Sequence, residues 1–159
     1  MSLGYKKKMI IYFLIVIFFL ILDRFFKFLA ISQYFSEPIK ILDDIFKLSY
    51  SSNYNIAFSL PISGLGLNLA IIVIILALFY YLLILLKKNN YHESLYLAVI
   101  LLGACSNLFD RLRYGFVIDY LDLKYFTVFN IADMMIVGGV LGIIIIWAAF
   151  QTTIKKRPK

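Results

Sequence analysis

Polar and charged residues in this chain collect at the edges of long apolar segments, and the spacing of those edges predicts the elements. Residues 68–86, NLAIIVIILALFYYLLILL, run for nineteen positions without a charge, and 134–154 run for twenty-one. Each matches the roughly 20 residues that an α-helix needs to cross about 30 Å of hydrocarbon. Two further spans are predicted. One covers about 9–30, uncharged as far as Leu22 and then carrying Asp23, Arg24 and Lys27. The other covers about 94–110, is shorter and more polar, and ends in Gly103, Ala104, Cys105, Ser106 and Asn107. Small residues let helices approach closely, which places this span inside a bundle.

The segment 31–67 is too long for a simple helical hairpin. Ile39 to Leu42, Ile45 to Tyr50 and Ile56 to Leu60 carry β-branched and aromatic residues, separated by the turn-prone Asp43-Asp44 and Ser51-Ser52-Asn53, which reads as short strands. The expectation is a mainly α membrane protein: a single domain over 1–159, with spans at about 9–30, 68–86, 94–110 and 133–154. A small extracytoplasmic β-rich subdomain lies between the first two helices and rests on the membrane.

Composition supports this reading, since 159 residues that are 63% hydrophobic, with mean hydropathy +0.90, exceed what a soluble globule of this size hides. Lys6, Lys7, Lys8, Lys87, Lys88, Lys155, Lys156, Arg157 and Lys159 fall on one side of a four-span arrangement, which makes that side, and both termini, cytoplasmic. That side holds nine basic residues and one acidic one, and the other seven basic and eight acidic, so the net charge of +7 reports topology. Nucleic-acid binding is a poor reading of these short basic clusters. Lys6 to Lys8 before an apolar run resemble a signal peptide, but Asp23, Arg24, Phe25 and Phe26 follow with no small-residue cleavage site, so a retained helix is expected. The single cysteine, Cys105, excludes an intramolecular disulfide. Although Leu102-Gly103-Ala104-Cys105 resembles a lipobox, it lies inside a span and reads as packing.

The candidate chemistry lies in the polar residues at the span ends. Asp23, Asn107, Asp110, Asp119, Asp122, Asn130 and Asp133 sit at or near the ends of apolar segments, where carboxylates are costly unless paired, hydrated or used. Several have ordinary structural explanations. Asp23 and Lys27 are an i,i+4 pair, and Asn107, Asp110 and Arg111 share a helix face as an interfacial anchor. Asn130 is placed to cap the last span, with Asp133 at its third position complementing the dipole. Asp119, in the apolar and aromatic loop Gly115 to Asp122, has no local explanation.

Read together, five ordered blocks resemble lipoprotein signal peptidase, also called signal peptidase II. They are Asp23-Arg24-Phe25-Phe26-Lys27, Asn53-Tyr54-Asn55-Ile56-Ala57-Phe58-Ser59, Gly103 to Arg111, Val117-Ile118-Asp119-Tyr120 and Phe129-Asn130-Ile131-Ala132-Asp133. The resemblance implies a bacterial aspartyl endopeptidase of the cytoplasmic membrane that removes the signal peptide of diacylglyceryl-modified prolipoproteins, cutting before the lipidated cysteine. It implies Asp119 and Asp133 as catalytic residues. It implies Asp23, Lys27, Asn53, Asn107, Arg111 and Asn130 as residues that shape the site and hold substrate, with Asp110 supporting Arg111. Membrane lipids are implied as surroundings, globomycin-type cyclic peptides as inhibitors, and neither metal nor cofactor. Asn55, Leu102 and Ser106 stand where the family often has glycine, and the stretch from Asp119 to Asp133 lacks an aromatic-glycine insert seen in some members.

The chemistry also follows from the residues. Two carboxylates sharing a partly desolvated site do not both ionise easily, so one keeps a proton while the other acts as base toward a water. The sole histidine, His92, falls on the cytoplasmic side, away from these residues, which disfavours His-based zinc sites and Ser-His or Cys-His pairs. The alternative is a noncatalytic channel or transporter subunit, which predicts acids through the depth of the membrane. A purely structural membrane protein is a third reading, and it leaves Asp119 unexplained.

Overall fold

The computed structural model describes residues 3–54 and 64–155. Its elements in chain order are α1 (Leu3–Ile31), β1 (Ile39–Leu42), β2 (Phe46–Asn53), α2 (Leu65–Lys87), α3 (Tyr91–Tyr114), β3 (Val117–Leu123) and α4 (Ile131–Lys155). The helices are built inside out relative to a soluble bundle. α2 exposes Leu69, Val73, Leu76, Phe79, Tyr80 and Leu83 and buries Leu67 and Leu85. On α1, Val16, Leu20, Asp23, Lys27 and Ala30 form one inward stripe at alternating spacings of four and three, whereas Phe18, Phe19, Phe25 and Phe28 face outward. Charge inside and aromatic rings outside is the arrangement that hydrocarbon favours. Among the described residues α2, α3 and α4 are long and apolar enough to cross a membrane.

Helices α2 and α3 form an antiparallel hairpin whose turn closes as a Schellman motif. Asn90 N donates to Leu85 O at 3.0 Å and Asn89 N to Leu86 O at 3.1 Å. Asn89 takes the left-handed conformation at φ 56°, which asparagine tolerates better than most residues. Leu85, Leu97 and Leu101 pack the hairpin. A second core joins α1, β3 and α4 through Ala30, Phe35, Ile118, Tyr120, Ile131 and Met135.

The sheet corrects the sequence reading in three places. It is antiparallel with order β1-β2-β3, so the subdomain is not confined to 31–67: its third strand comes from the α3–α4 connection. The stretch read as an apolar loop around Asp119 is this strand, and Val117 to Tyr120 are all buried. Burial on both faces removes the alternation that identifies a strand in sequence. Ser51, Ser52 and Asn53, read as a turn, continue β2 and pair with Asp119, Ile118 and Val117 across an irregularity after Leu48. Strand β1 occupies the expected 39–42, followed by a turn with Asp43 at φ 42°. The expected strand at 56–60 and Asn55 lie outside the described residues. Helix α3 extends at both ends beyond the expected 94–110, to Tyr91 and Tyr114.

Candidate active site

Two local features turn the chain back upon itself at the site. Gly115 ends α3 at φ +85°, a conformation that an L side chain rarely adopts, and β3 begins two residues later. Gly103, on α3, faces α4 so closely that an added Cβ would lie 2.6 Å from Ala132 O. This approach brings Asn107, one turn further along α3, to the first turn of α4.

α4 starts with the cap that the sequence predicts. Asp133 N donates to Asn130 Oδ1 at 2.9 Å, and Asn130 N donates to Asp133 Oδ2 at 3.2 Å, a reciprocal capping box. The same Asn130 donates Nδ2 to Asp119 Oδ1 at 2.6 Å and to Ile118 O at 3.3 Å. Asn53 donates to Asp119 Oδ2 at 2.9 Å, and Asn107 to Asp133 Oδ1 at 2.7 Å. The cap and the carboxylate pair are thus one construction. Each carboxylate oxygen receives an N–H from a neighbouring side chain or main chain.

A charged lattice supports it from α1 and α3. Lys27, fully buried, donates to Asn107 Oδ1 at 2.7 Å and lies 2.7 Å from Asp110 and 3.2 Å from Asp23. Arg24 reaches Asp110 Oδ1 at 2.6 Å and stands over the Phe109 ring. Ser106 Oγ donates to Asp23 Oδ2 at 2.6 Å. Arg111 Nη1 donates to Tyr54 O at 3.5 Å and lies within electrostatic reach of Asp119, Asp133 and Asp110. The charge of Asp110 favours the charged form of Arg111, as expected, and its closest ion pairs are with Arg24 and Lys27. Asp110 faces Arg24 and Lys27 and also accepts from Ile118 N at 3.4 Å.

The residues that the family blocks imply, Asp23, Lys27, Asn53, Asn107, Asp110, Arg111, Asp119, Asn130 and Asp133, belong to this one assembly, whereas Asp122 lies further along β3 and accepts from Ser49 Oγ at 3.2 Å. Sequence reasoning did not single out Arg24, Ser106 or Tyr120. Arg24 and Ser106 sit within the motif blocks, but only contacts between helices give them a role. A cleft of about 370 Å³ opens beside Asp119, lined by Ser51, Ser52, Asn53, Tyr54, Phe126, Thr127 and Val128. A hollow of about 200 Å³ lies among Arg24, Lys27, Phe28, Phe109, Tyr114 and Ile118. Burial, and then the nearby charge of Asp133, pushes the Asp119 carboxyl up to about 7 against the opposing donors Asn53 and Asn130. Asp23 and Asp110 are matched by Lys27 and Arg24, which leaves Arg111 opposite the Asp119/Asp133 pair. That set is neutral when the pair holds one proton. Among the described residues no cluster of histidine, cysteine and acidic side chains fits a metal ion.

A helical membrane bundle that presents two tethered carboxylates beside a polar cleft belongs to the class of membrane aspartic peptidases. The family profile of signal peptidase (SPase) II matches residues 15–150. The lipoprotein signal peptidase of Halothermothrix orenii is 36% identical over 137 residues, covering 85% of this chain and 94% of that protein. The enzyme of the same name from Haemophilus ducreyi is 34% identical over 149 residues, covering 87% and 88%. A structure described as a bacterial membrane enzyme, solved by the in meso method at 2.3 Å, superposes with TM-score 0.76 over 93% of this chain and 92% of that one, at 24% identity, and shows a shared fold. The chain belongs to the signal peptidase II family. It is a protease and a multi-pass bacterial membrane protein.

Proposed function

We propose that this protein is an aspartyl endopeptidase that removes the signal peptide from diacylglyceryl-modified prolipoproteins, with Asp119 and Asp133 as the catalytic pair. The observation that carries the reading is Asn130, which binds both carboxylates at once beside an open cleft. The reaction starts from the form in which the pair holds one proton, on Asp119, whose carboxyl is pushed up to about 7, and in which Asp133, facing donors from Asn107 and Asn130, is the base. Water lying between them loses a proton to Asp133 as its oxygen attacks the scissile carbonyl, whose oxygen takes the Asp119 proton. The tetrahedral diol then collapses, breaking the C–N bond as Asp133 returns its proton to the leaving amine and Asp119 recovers one from the diol.

The remaining assignments extend this reading. α1 is a fourth span, its 29 residues exceeding the roughly 20 required and its outward face lined with phenylalanine. Both termini are cytoplasmic by the positive-inside rule, and the sheet with Asp119, together with Asp133 at the start of α4, lies at the extracytoplasmic face. Substrate enters sideways from the lipid, past exposed Phe28 and Phe109. Globomycin-type cyclic peptides compete for the cleft. A channel subunit is less well supported, since the acids are bound into one lattice at one end of the bundle.

A gel-shift assay of purified protein in detergent with a diacylated prolipoprotein tests the reading. Cleavage before the lipidated cysteine is expected from the parent, with loss of at least about a hundredfold in Asp119→Asn and Asp133→Asn. Appreciable turnover by either variant would refute the pair, and a folded, inactive parent would refute the substrate.

A further inference from the structure

The first turn of α4 is held from below by groups outside the helix. A helix start leaves its first N–H groups without intrahelical partners. Here Asn130 N uses the Asp133 carboxylate and Asp133 N the Asn130 side chain. The two between them are satisfied by other elements. Ile131 N donates to Tyr120 Oη at 3.2 Å, and Ala132 N donates to Asp23 Oδ1 at 3.1 Å. Tyr120 Oη in turn donates its proton to that same Asp23 oxygen at 3.2 Å. Tyr120 is fully buried, and its ring stacks on Phe26 at 5.4 Å between centroids. Burial, followed by the charge of Asp23, raises its hydroxyl pKa, so it stays protonated and able to donate.

Tyr120 follows Asp119 in β3, and side chains alternate across a strand. Asp119 points to the cleft while Tyr120 points beneath it to α4. The start of α4 is fastened to β3 by Asn130 to Asp119 and Ile118 within the site, by main-chain bonds from Tyr120 and Leu121 to Phe129, and by Tyr120 Oη to Ile131 on the underside. Of these, the Tyr120 hydroxyl is the tie from β3 to a residue inside α4, and it helps to fix where Asp133 stands relative to Asp119.

We propose that the Tyr120 hydroxyl is a positioning group for the reaction, setting the separation of the two aspartates by anchoring the first turn of α4 to Asp23. The proposal rests on the assignment of Asp119 and Asp133 as the reacting pair. Ser106 provides an internal comparison. Its hydroxyl bonds the other oxygen of Asp23, whereas the Tyr120 hydroxyl bonds both Asp23 and the main chain of α4.

The test uses full-length protein in detergent and compares the parent with Tyr120→Phe and Ser106→Ala. Tyr120→Phe keeps the ring stack and removes one hydroxyl. Since displacement of about 1 Å costs on the order of a hundredfold and the other ties to α4 remain, kcat is expected to fall about tenfold, with KM within about twofold. Ser106→Ala is expected to lose less than about threefold, given the donors that remain on Asp23. Amide exchange supplies a readout that needs no turnover: Ile131 and Ala132 exchange faster in Tyr120→Phe, with α2 and α3 unchanged. The same comparison in an Asp119→Asn background, or with a parent that proves inactive, still decides whether Tyr120 holds α4. An inactive parent counts against the proposed reaction alone. Parent-like kcat in Tyr120→Phe, an equal loss in Ser106→Ala, or faster exchange throughout the helices would each overturn the positioning role.

Discussion

Asn130 donates its Nδ2 to Asp119 at 2.6 Å while its Oδ1 accepts the main-chain N–H of Asp133 at 2.9 Å. One amide side chain thus caps α4 and binds Asp119, and the main-chain N–H of the same residue binds the Asp133 carboxylate. The capping and catalytic explanations of these residues describe the same bonds.

Substitution separates the two roles. Asn130→Asp retains an oxygen to cap the helix but replaces the donor to Asp119 with a third carboxylate. It is expected to cost about a hundredfold in kcat/KM, with less than about 1 kcal/mol in stability. Asn130→Ala loses both the cap and the donor, and its melting point drops as well. Thermal unfolding and cleavage measured on both variants check the separation.

The position of Asp119 gives a pH signature. Its carboxyl is raised from the ordinary 3.8 to about 7, first by burial and then by Asp133. If it supplies the proton to the substrate carbonyl, kcat/KM falls as pH rises through about 7. Stability moves in the same direction. The folded state binds the proton more tightly than the unfolded chain, so the stabilisation is complete below about pH 4 and is lost as pH rises through 7. Asp119→Asn removes this slope and melts higher than the parent at pH 8. Unfolding scans in detergent at pH 5 and pH 8 measure both effects.

Lys27 is fully buried between Asp23 and Asp110. Lys27→Met fills similar space without charge, leaving Asp23 without a cation and Asp110 with Arg24 alone, with an expected destabilisation of about 3–5 kcal/mol. Asp110→Asn relieves part of that strain, so the double variant recovers melting temperature relative to Lys27→Met alone. Simple additivity in the double-mutant cycle would mean that the pair is uncoupled.

What the sequence made legible depended on distance along the chain. The i,i+4 relation of Asp23 to Lys27 and the i,i+3 relation of Asn130 to Asp133 follow from helix geometry alone, and both interactions are present. The bridge from Lys27 to Asp110 spans two helices, and nothing in spacing encodes it. Spacing relates Asp110 to its neighbour Arg111, whose charge it favours, but not to Arg24 and Lys27 of α1, with which it forms its ion pairs. The strand holding Asp119 was hidden for a different reason. Val117, Ile118 and Tyr120 are buried with it, so its pattern matches an apolar loop as well as a covered strand. The family blocks located the acids, and the hydroxyls of Ser106 and Tyr120 emerged only from the packing around Asp23.

Gly103 and Gly138 make a matched pair for the approach of α3 to α4. Alanine at Gly138 meets nothing within 4 Å, so Gly138→Ala is expected to be neutral or to stabilise by up to about 1 kcal/mol through helix propensity. Alanine at Gly103 meets the Ala132 carbonyl at 2.6 Å and the Ile136 side chain at 3.0 Å. A main-chain carbonyl has no rotamer through which to yield, so α4 must move at the residue before Asp133. Gly103→Ala is expected to destabilise by about 1–3 kcal/mol despite the same gain in propensity, and to lower kcat because the shift displaces Asp133 from Asn107 and Asp119. Equal melting points and activities for the two variants would mean that the bundle accommodates the methyl group away from the site. A drop confined to Gly103→Ala ties the close packing of the helices to the placement of the reacting carboxylate.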